Sequence, residues 1–397
     1  MENQREAYIV DFRRTPFSRS RPTEPERDAF NSLRMDEALG KLYRKLVEQS
    51  SVKPTEIGDA ITGCALQADE NWTYGGKHPQ LISGLPVTVP AMAIDRACSS
   101  SLNAMGIGFM EIRTGFSDMV LAGGMEHMTH VPLNNNPHIK PNIKLLVRPE
   151  FAKLDMNTGY SMGLTAEKLA DLKGISREEM DRFSHRSHQL ASEALDSGYF
   201  KGEIEPVQVE RDNKEVTIDS DLSIRKGAKL EEMSNLRPAF KSDGKITAGN
   251  SSPLNAGASA VLLASGEKVN EYGLKPLAKI ISIGWAAVEP SIMGEGPVPA
   301  SKKALRSAGL TADDIDLWEI NEAFAVVVLN AMKELGIPED KVNVHGGAIS
   351  IGHPLGASGA RLAGTLARSM KEKGKERGMA TLCVGGGQGY SMILERV

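Results

Sequence analysis

The order of elements in the first third of the chain returns, in different words, in its last third. "EAYIVDF" (6–12) reads as a short apolar strand, and "LRMDEALGKLYRKLVEQSSV" (33–52) carries apolar residues at helical spacing up to a polar stop. "DAITGCAL" (59–66) and "AMAIDRA" (91–97) follow as strands, then a helix from about Ser99 to Thr114, then "DMVLAGGMEHM" (118–128), an apolar strand running into glycines. The later stretch begins with a strand, "PLAKIISIGWAAV" (276–288), and a helix, "PASKKALRSAGL" (299–310). "TADDIDLWEINEAFA" (311–325) then matches "KPTEIGDAITGCALQ" (53–67) in its turn, acid and strand. "HGGAISIGHPLGASGARLAGTLARSM" (345–370) stands where the Cys98 segment stood, and "MATLCVGGGQGYSMILE" (379–395) where "DMVLAGGMEHM" stood. Self-similarity of this kind predicts two like halves. Strands alternating with helices predict an α/β fold whose sheet is mostly parallel and covered on both faces.

Between the halves the composition turns polar and charged, with "NNNPHIKPNIK" (134–144), the helical "SREEMDRFSHRSHQLASEAL" (176–195) and "VERDNKEVTIDSDLSIRKGAKLEEM" (209–233). The expected organisation is a first half from 1–127 with 248–275, an inserted and more exposed subdomain over 128–247, and a second half over 276–397. "ITAGNSSPLNAGASAVLLAS" (246–265) is expected to rejoin the first half as a helix and a strand. A chain of 397 residues, 41% hydrophobic, is long enough to build several shared cores.

Bulk charge narrows the function classes. A formal net charge of -4 leaves no broad basic field for nucleic acid, although a local patch for a phosphorylated small molecule remains open. No run approaches the roughly 18 apolar residues of a membrane span, and the start and end carry no targeting signal. Cys64, Cys98 and Cys383, odd in number and far apart, form neither a disulfide framework nor a zinc pattern. A reducing, cytoplasmic setting is expected.

Cys98, in "DRACSSSLNA" (95–104), stands at a strand end feeding a helix. Exposed N–H groups and the positive dipole end there are expected to lower a thiol pKa and favour the thiolate; taken alone, a small buried residue is the plainer reading. His353, in "GHPLGASGA" (352–360), holds the equivalent place in the second half, and histidine is the usual base for a cysteine nucleophile. "CVGGGQG" (383–389) puts a second thiol before glycines whose N–H groups can form an anion nest or oxyanion hole. "NEAFA" (321–325) supplies an amide and a carboxylate at another strand end. The dinucleotide and Walker fingerprints are absent. "EHMTH" (126–130) and "HRSH" (185–188) lack partners for a metal site, so no metal is expected. Cys64 reads as core.

The capped cysteine, "NEAFA", "GHPLGASGAR" and "CVGGGQG" in this order resemble the thiolase family along nearly the whole chain. "GGMEHMTHVP" (123–132), "SMGLTAE" (161–167), "RPAF" (237–240) and "PSIMGEGPVPASKKAL" (290–305) are most similar to the degradative 3-ketoacyl-CoA thiolases, the acetyl-CoA C-acyltransferases of fatty-acid β-oxidation. The resemblance implies a thiolase-like fold: two duplicated βαβαβαββ halves in α-β-α-β-α layers, plus the inserted loop subdomain. It implies Cys98 as the acylated nucleophile, His353 as its activator and Cys383 as the acid and base at the acetyl carbon. Asn321 would hold a water that, with His353, stabilises the enolate oxygen. The backbone N–H groups of Cys98 and Gly385 would stabilise the tetrahedral oxyanion.

No permanently bound cofactor is implied; coenzyme A and acyl-CoA are substrates. Arg225 would meet the nucleotide end, and Leu236, Phe240, Ser252, Met162 and Phe324 the pantetheine. A homodimer or homotetramer is implied, with the 134–144 loop as a contact, and membership of a β-oxidation multienzyme complex stays open. Short-chain acetoacetyl-CoA thiolases often carry histidine where this chain has Ser161, which leans the reading towards longer or broader acyl chains. The alternatives are an acetoacetyl-CoA thiolase (acetyl-CoA C-acetyltransferase) condensing two acetyl-CoA, and a non-catalytic acyl-CoA binder. Ketoacyl synthases lack the second cysteine, so "CVGGGQG" argues against them.

Overall fold

The computed structural model describes residues 5–134, 136–211 and 213–397; Asn135, in the expected contact loop, lies outside them. In the first half the elements are β1 (Ala7–Arg14), α1 (Met35–Ser50), β2 (Asp59–Gly63), β3 (Ala91–Ile94), α2 (Ser100–Thr114) and β4 (Met119–His127). Then come α3 (Met162–Lys173), α4 (Arg177–Asp196) and β5 (Asn255–Ser265). The remainder is β6 (Ala278–Ala287), α5 (Pro297–Ala308), β7 (Leu317–Ile320), α6 (Ala325–Leu335), α7 (Ser358–Glu372), β8 (Arg377–Val384) and β9 (Gln388–Glu395).

The strands run β7-β8-β9-β6-β1-β5-β4-β2-β3, with a two-residue strand, Ser18–Arg19, beside β5. Among the described residues the half-sheets meet only where Ala7–Ile9 of β1 pairs with Ala278–Ile280 of β6. The expectation of a mostly parallel sheet is corrected: β2–β3, β2–β4 and β7–β8 are parallel, and the other pairings are antiparallel. Two connections cause this. The chain returns from the insert antiparallel to β4, and β8 turns straight into β9 through Gly385–Gly387. The halves also differ. Where β3 pairs in parallel with β2 from Ala60↔Ala91 onward, the second half has at the matching place an isolated parallel bridge between Trp318 and Val342.

Successive strand residues point to opposite faces, and the core divides accordingly. Met119, Leu121 and Leu262 pack on Leu39, Leu42 and Leu46 of α1 on one outer face. Val120, Val261, Leu382 and Met392 pack on Leu102 and Met105 of α2 and on Leu362 and Leu366 of α7, between the half-sheets. Met379 and Ile393 pack on Val298 and Leu305 of α5 and on Val326–Val328 of α6, on the other outer face. The result is five layers, helices alternating with half-sheets. The central helices touch backbone to backbone: a Cβ on Gly359 would lie 2.4 Å from the Leu102 nitrogen. Ser101 Oγ accepts from the Ala360 N–H at 2.9 Å across the same contact.

Residues 128–254 leave and re-enter between β4 and β5, which are paired from Met119↔Ala264 to His127↔Ala256. A capping box, Ser176 with Glu179, starts α4. Arg14 in β1, fully buried, donates to Glu203 at 2.8 Å and to Asp221 at 2.7 and 2.9 Å, tying this segment to the sheet. The helix expected before β5 does not form. Asn250 Oδ1 accepts from the Thr247 N–H at 2.8 Å while its Nδ2 donates to Asp181 at 2.9 Å, which holds a turn, and Pro253 follows. A six-residue helix, Gly266–Glu271, comes after β5 instead. Among the described residues no helix is long and apolar enough to cross a membrane.

Candidate active site

Past the end of β3, Asp95 Oδ1 accepts from the Ala97 N–H at 2.5 Å, and Ala97 takes a φ of +42°, rare for a residue with a side chain. Cys98 follows in a 3-10 turn, Ala97–Ser99, immediately before α2. Ser100 secures the turn: its hydroxyl accepts from the Arg96 N–H at 3.0 Å and donates to the Ala97 carbonyl at 2.7 Å. Cys98 is half-buried. Burial pushes its thiol up to about 11, the N–H groups of Gly385 and of Cys98 itself pull it back, and the Glu126 and Asp95 carboxylates push it further up. The expected lowered thiol pKa is thus overturned. The peptide donors are present, but burial outweighs them.

His353 occupies the equivalent turn before α7. Gly352 has a φ of +123°, and a Cβ there would sit 2.8 Å from Asn255 Nδ2. The same amide fixes the histidine, accepting from its backbone N–H at 2.8 Å. The His353 side chain is buried, with Nδ1 2.6 Å from Ser358 Oγ and Nε2 3.2 Å from Asn321 Nδ2. Burial pushes the imidazole down to about 3, assisted by the Arg361 charge. It is a neutral ring at physiological pH. Asn321, just past β7, is held by its N–H to the Thr381 carbonyl at 2.9 Å, and its Oδ1 is buried without a partner among the described residues.

Cys383 is buried near the end of β8, paired with Gly389 of β9. Burial pushes its thiol well above its ordinary value, and the charge of a Cys98 thiolate nearby adds to the effect. Gly386 and Gly387, with φ of +80° and +81°, make the hairpin turn. Gly385 faces the nucleophile: a Cβ on it would lie 3.8 Å from Ala97 Cβ and 3.7 Å from Met162 Sδ.

Cys98 and His353 open onto one cavity of about 250 Å³, lined also by Met162, Phe240, Ser252, Phe324, Ser161 and Leu254. Phe240 meets Phe324 edge to face, with centroids 6.1 Å apart. Arg225 and Leu236 line a second cavity, of about 170 Å³, with His188 and Lys229. Cys98, His353, Asn321, Cys383 and Gly385 therefore come together with four of the six residues expected to contact coenzyme A, while Arg225 and Leu236 stand apart as a pair.

The thiolase N-terminal domain family matches residues 7–267, and the thiolase C-terminal domain family matches residues 274–396. The chain belongs to the thiolase family. It is an enzyme, an acyltransferase. It is 42% identical to a 3-ketoacyl-CoA thiolase of Marinobacter nauticus, over 100% of this chain and 99% of that protein. It is 42% identical to an acetyl-CoA acetyltransferase of Syntrophomonas wolfei, over 88% of this chain and 90% of that protein. The solved human mitochondrial 3-ketoacyl-CoA thiolase superposes with a TM-score of 0.87 at 34% identity, covering 99% of this chain and 100% of that one.

Three residues around this thiolase site were missed from the sequence, and two of them, Ser358 and Asn255, carry no signal there. Ser358 contacts the imidazole, Asn255 holds its backbone, and Glu126 accepts from the N–H groups of Ala65 at 2.9 Å, Leu66 at 3.3 Å and Gly356 at 2.9 Å. Only the polarity of Glu126 within the apolar β4 marks it. No group of three or more histidine, cysteine, aspartate or glutamate side chains is placed to hold a metal ion among the described residues.

Proposed function

We propose that the protein is a 3-ketoacyl-CoA thiolase, cleaving 3-ketoacyl-CoA with free coenzyme A to acetyl-CoA and a shortened acyl-CoA in fatty-acid β-oxidation. The observation that carries this reading is the meeting of Cys98 and His353, from equivalent turns of the two halves, at one largely apolar cavity. Cys98 Sγ attacks C3 of the substrate as its proton passes to His353 Nε2. The N–H groups of Cys98 and Gly385 stabilise the oxyanion. The C2–C3 bond then breaks, its electron pair leaving as the acetyl-CoA enolate, whose oxygen is stabilised by His353 and a water on Asn321. Cys383 gives its proton to C2. In the second step the thiol of coenzyme A attacks the acyl–Cys98 thioester, its proton returns the thiolate of Cys383 to the thiol, and Cys98 regains the proton held by His353.

Met162, Phe240, Ser252 and Phe324 flank the pantetheine, and the cavity of Arg225 and Leu236 takes the more distal part of coenzyme A. Residues 1–127 with 248–275, 128–247 and 276–397 serve as nucleophile half, coenzyme A-binding insert and base half. The enzyme is read as a cytoplasmic homo-oligomer. β3 is the end strand of its sheet, with Trp72, Tyr74 and Val87 exposed near it in the chain, and Ile143 and Val147, in and beside the loop expected to make contacts, are exposed too.

A second reading, an acetoacetyl-CoA thiolase, is favoured by the name of the Syntrophomonas wolfei relative. Intact-mass measurement after mixing with acetyl-CoA, and rates across a 3-ketoacyl-CoA chain-length series, test both. An acyl adduct on Cys98 that is lost in Cys98→Ser is expected, with Cys383→Ala acylating but neither cleaving nor condensing. No adduct in the wild type sinks Cys98 as the acylated nucleophile, retained cleavage by Cys383→Ala sinks the role assigned to Cys383, and turnover confined to acetoacetyl-CoA favours the second reading.

A further inference from the structure

Ser358 lies in the first turn of α7, fully buried, and its hydroxyl makes two short contacts. Its Oγ is 2.6 Å from His353 Nδ1 and 2.8 Å from the Pro354 carbonyl oxygen. Each distance is that of a hydrogen bond with one proton between the heavy atoms. The hydroxyl owns one proton, and a carbonyl oxygen owns none. If that proton pointed at Nδ1, the lone pairs of two oxygens would face each other at 2.8 Å. The Ser358 O–H therefore donates to Pro354, and the second proton comes from the ring. On its other side Nε2 faces the Asn321 amide nitrogen at 3.2 Å, a donor that suits a lone pair on Nε2, and the Asn321 oxygen has no partner among the described residues.

We propose that Ser358 is a positioning residue that sets the tautomer of His353. It holds the proton on Nδ1 and leaves the Nε2 lone pair as the base. Its use in catalysis rests on the thiolase reading given above; the tautomer itself does not. When Nε2 takes the Cys98 proton, the Nδ1–H to Ser358 to Pro354 chain already points the right way to receive the positive charge, and no group has to turn. A hydroxyl cannot neutralise that charge as a carboxylate would. The imidazolium is therefore a transient proton holder, in keeping with a ring that rests neutral. Without Ser358 the ring loses the acceptor for Nδ1–H, and the Nε2–H tautomer, useless as a base, becomes accessible.

The test is a long-range proton–nitrogen NMR spectrum of enzyme labelled at the histidine ring nitrogens, the His353 signals being those lost in His353→Gln. A protonated Nδ1 and a bare Nε2 are expected in the wild type, and the reverse pattern overturns the proposal. In Ser358→Ala, kcat for thiolysis is expected to fall on the order of 10²-fold, with KM changed less than about threefold. Ser358→Thr, which keeps the hydroxyl, is expected to restore most of kcat. Equal kcat in wild type and Ser358→Ala, or a loss confined to KM, overturns the proposal. An enzyme with no thiolysis at all defeats the functional reading, and the wild-type spectrum then still decides the tautomer. It decides equally if the variants do not fold.

Discussion

At the scale of single residues the resting site is a neutral pair. Burial pushes the Cys98 thiol up to about 11 and the His353 imidazole down to about 3, so both protons stay where an isolated thiol and a neutral ring would hold them. These shifts favour the neutral thiol and neutral ring at rest over a thiolate–imidazolium pair, the usual state of a strongly activated cysteine. The nucleophile is instead deprotonated as it attacks, with the N–H groups of Gly385 and Cys98 waiting for the charge that moves onto oxygen. The consequence is measurable with iodoacetamide, a neutral alkylating agent, by following the Cys98 peptide in substrate-free enzyme. Its alkylation rate is expected to keep rising about tenfold per pH unit up to about pH 9.5, past the range of an ordinary free cysteine. A plateau below about pH 8 would show a resting thiolate and contradict this account.

Elements place these residues through backbone contacts that tolerate no side chain. Gly124, inside β4, is the sharpest case: a Cβ there would stand 2.1 Å from the Gly356 carbonyl oxygen and 2.6 Å from that of Gly63. Both obstacles are backbone, one in the turn after His353 and the other at the end of β2, so neither can rotate away. Gly124→Ala is expected to destabilise the enzyme by about 1–3 kcal/mol or more in denaturant titration, and to lower kcat by displacing the His353 turn. Gly266→Ala makes the control, since its nearest new contact is an ordinary 3.4 Å to the Tyr8 ring and its cost is expected to stay within about 0.5 kcal/mol. Equal stability of the two variants would show that the turn yields to β4. The periodicities did predict the elements here, β4 and α2 included. They did not predict how closely β4 approaches the turn of the other half, because a glycine in an apolar run looks the same whether it is crowded or free.

For the molecule as a whole, the duplication was legible because it repeats local patterns, turn, acid and strand, that need no knowledge of partners. Cys98 and His353 were legible for the same reason, since each opens the same element of its half. Strand direction was not: period-two patterning marks a strand without saying which way its neighbour runs, and β5 reaches β4 only after the long insert. Nor was the support around His353, because Asn255 lies 98 residues from it and Glu126 lies 230 residues from Gly356. Glu126 is one of the polar links between the halves, taking N–H groups of Ala65 and Leu66 and the amide of Asn71 from its own half and the Gly356 N–H from the other. Burial pushes its carboxyl up to about 7 from an ordinary 4.5, although the backbone donors oppose the shift. Between those values the folded chain keeps a proton that the unfolded chain has released. The contribution of Glu126 is therefore complete below about pH 4.5 and is lost as pH rises towards about 7. Glu126→Gln stays neutral throughout, so the difference in unfolding free energy between wild type and this variant isolates the one carboxyl. That difference is expected to move against the wild type by up to about 1.4 kcal/mol per pH unit across this window and to level off on either side. A difference that stays constant with pH would mean that the carboxylate is already ionised between the halves, held by its four amide donors against the cost of burial.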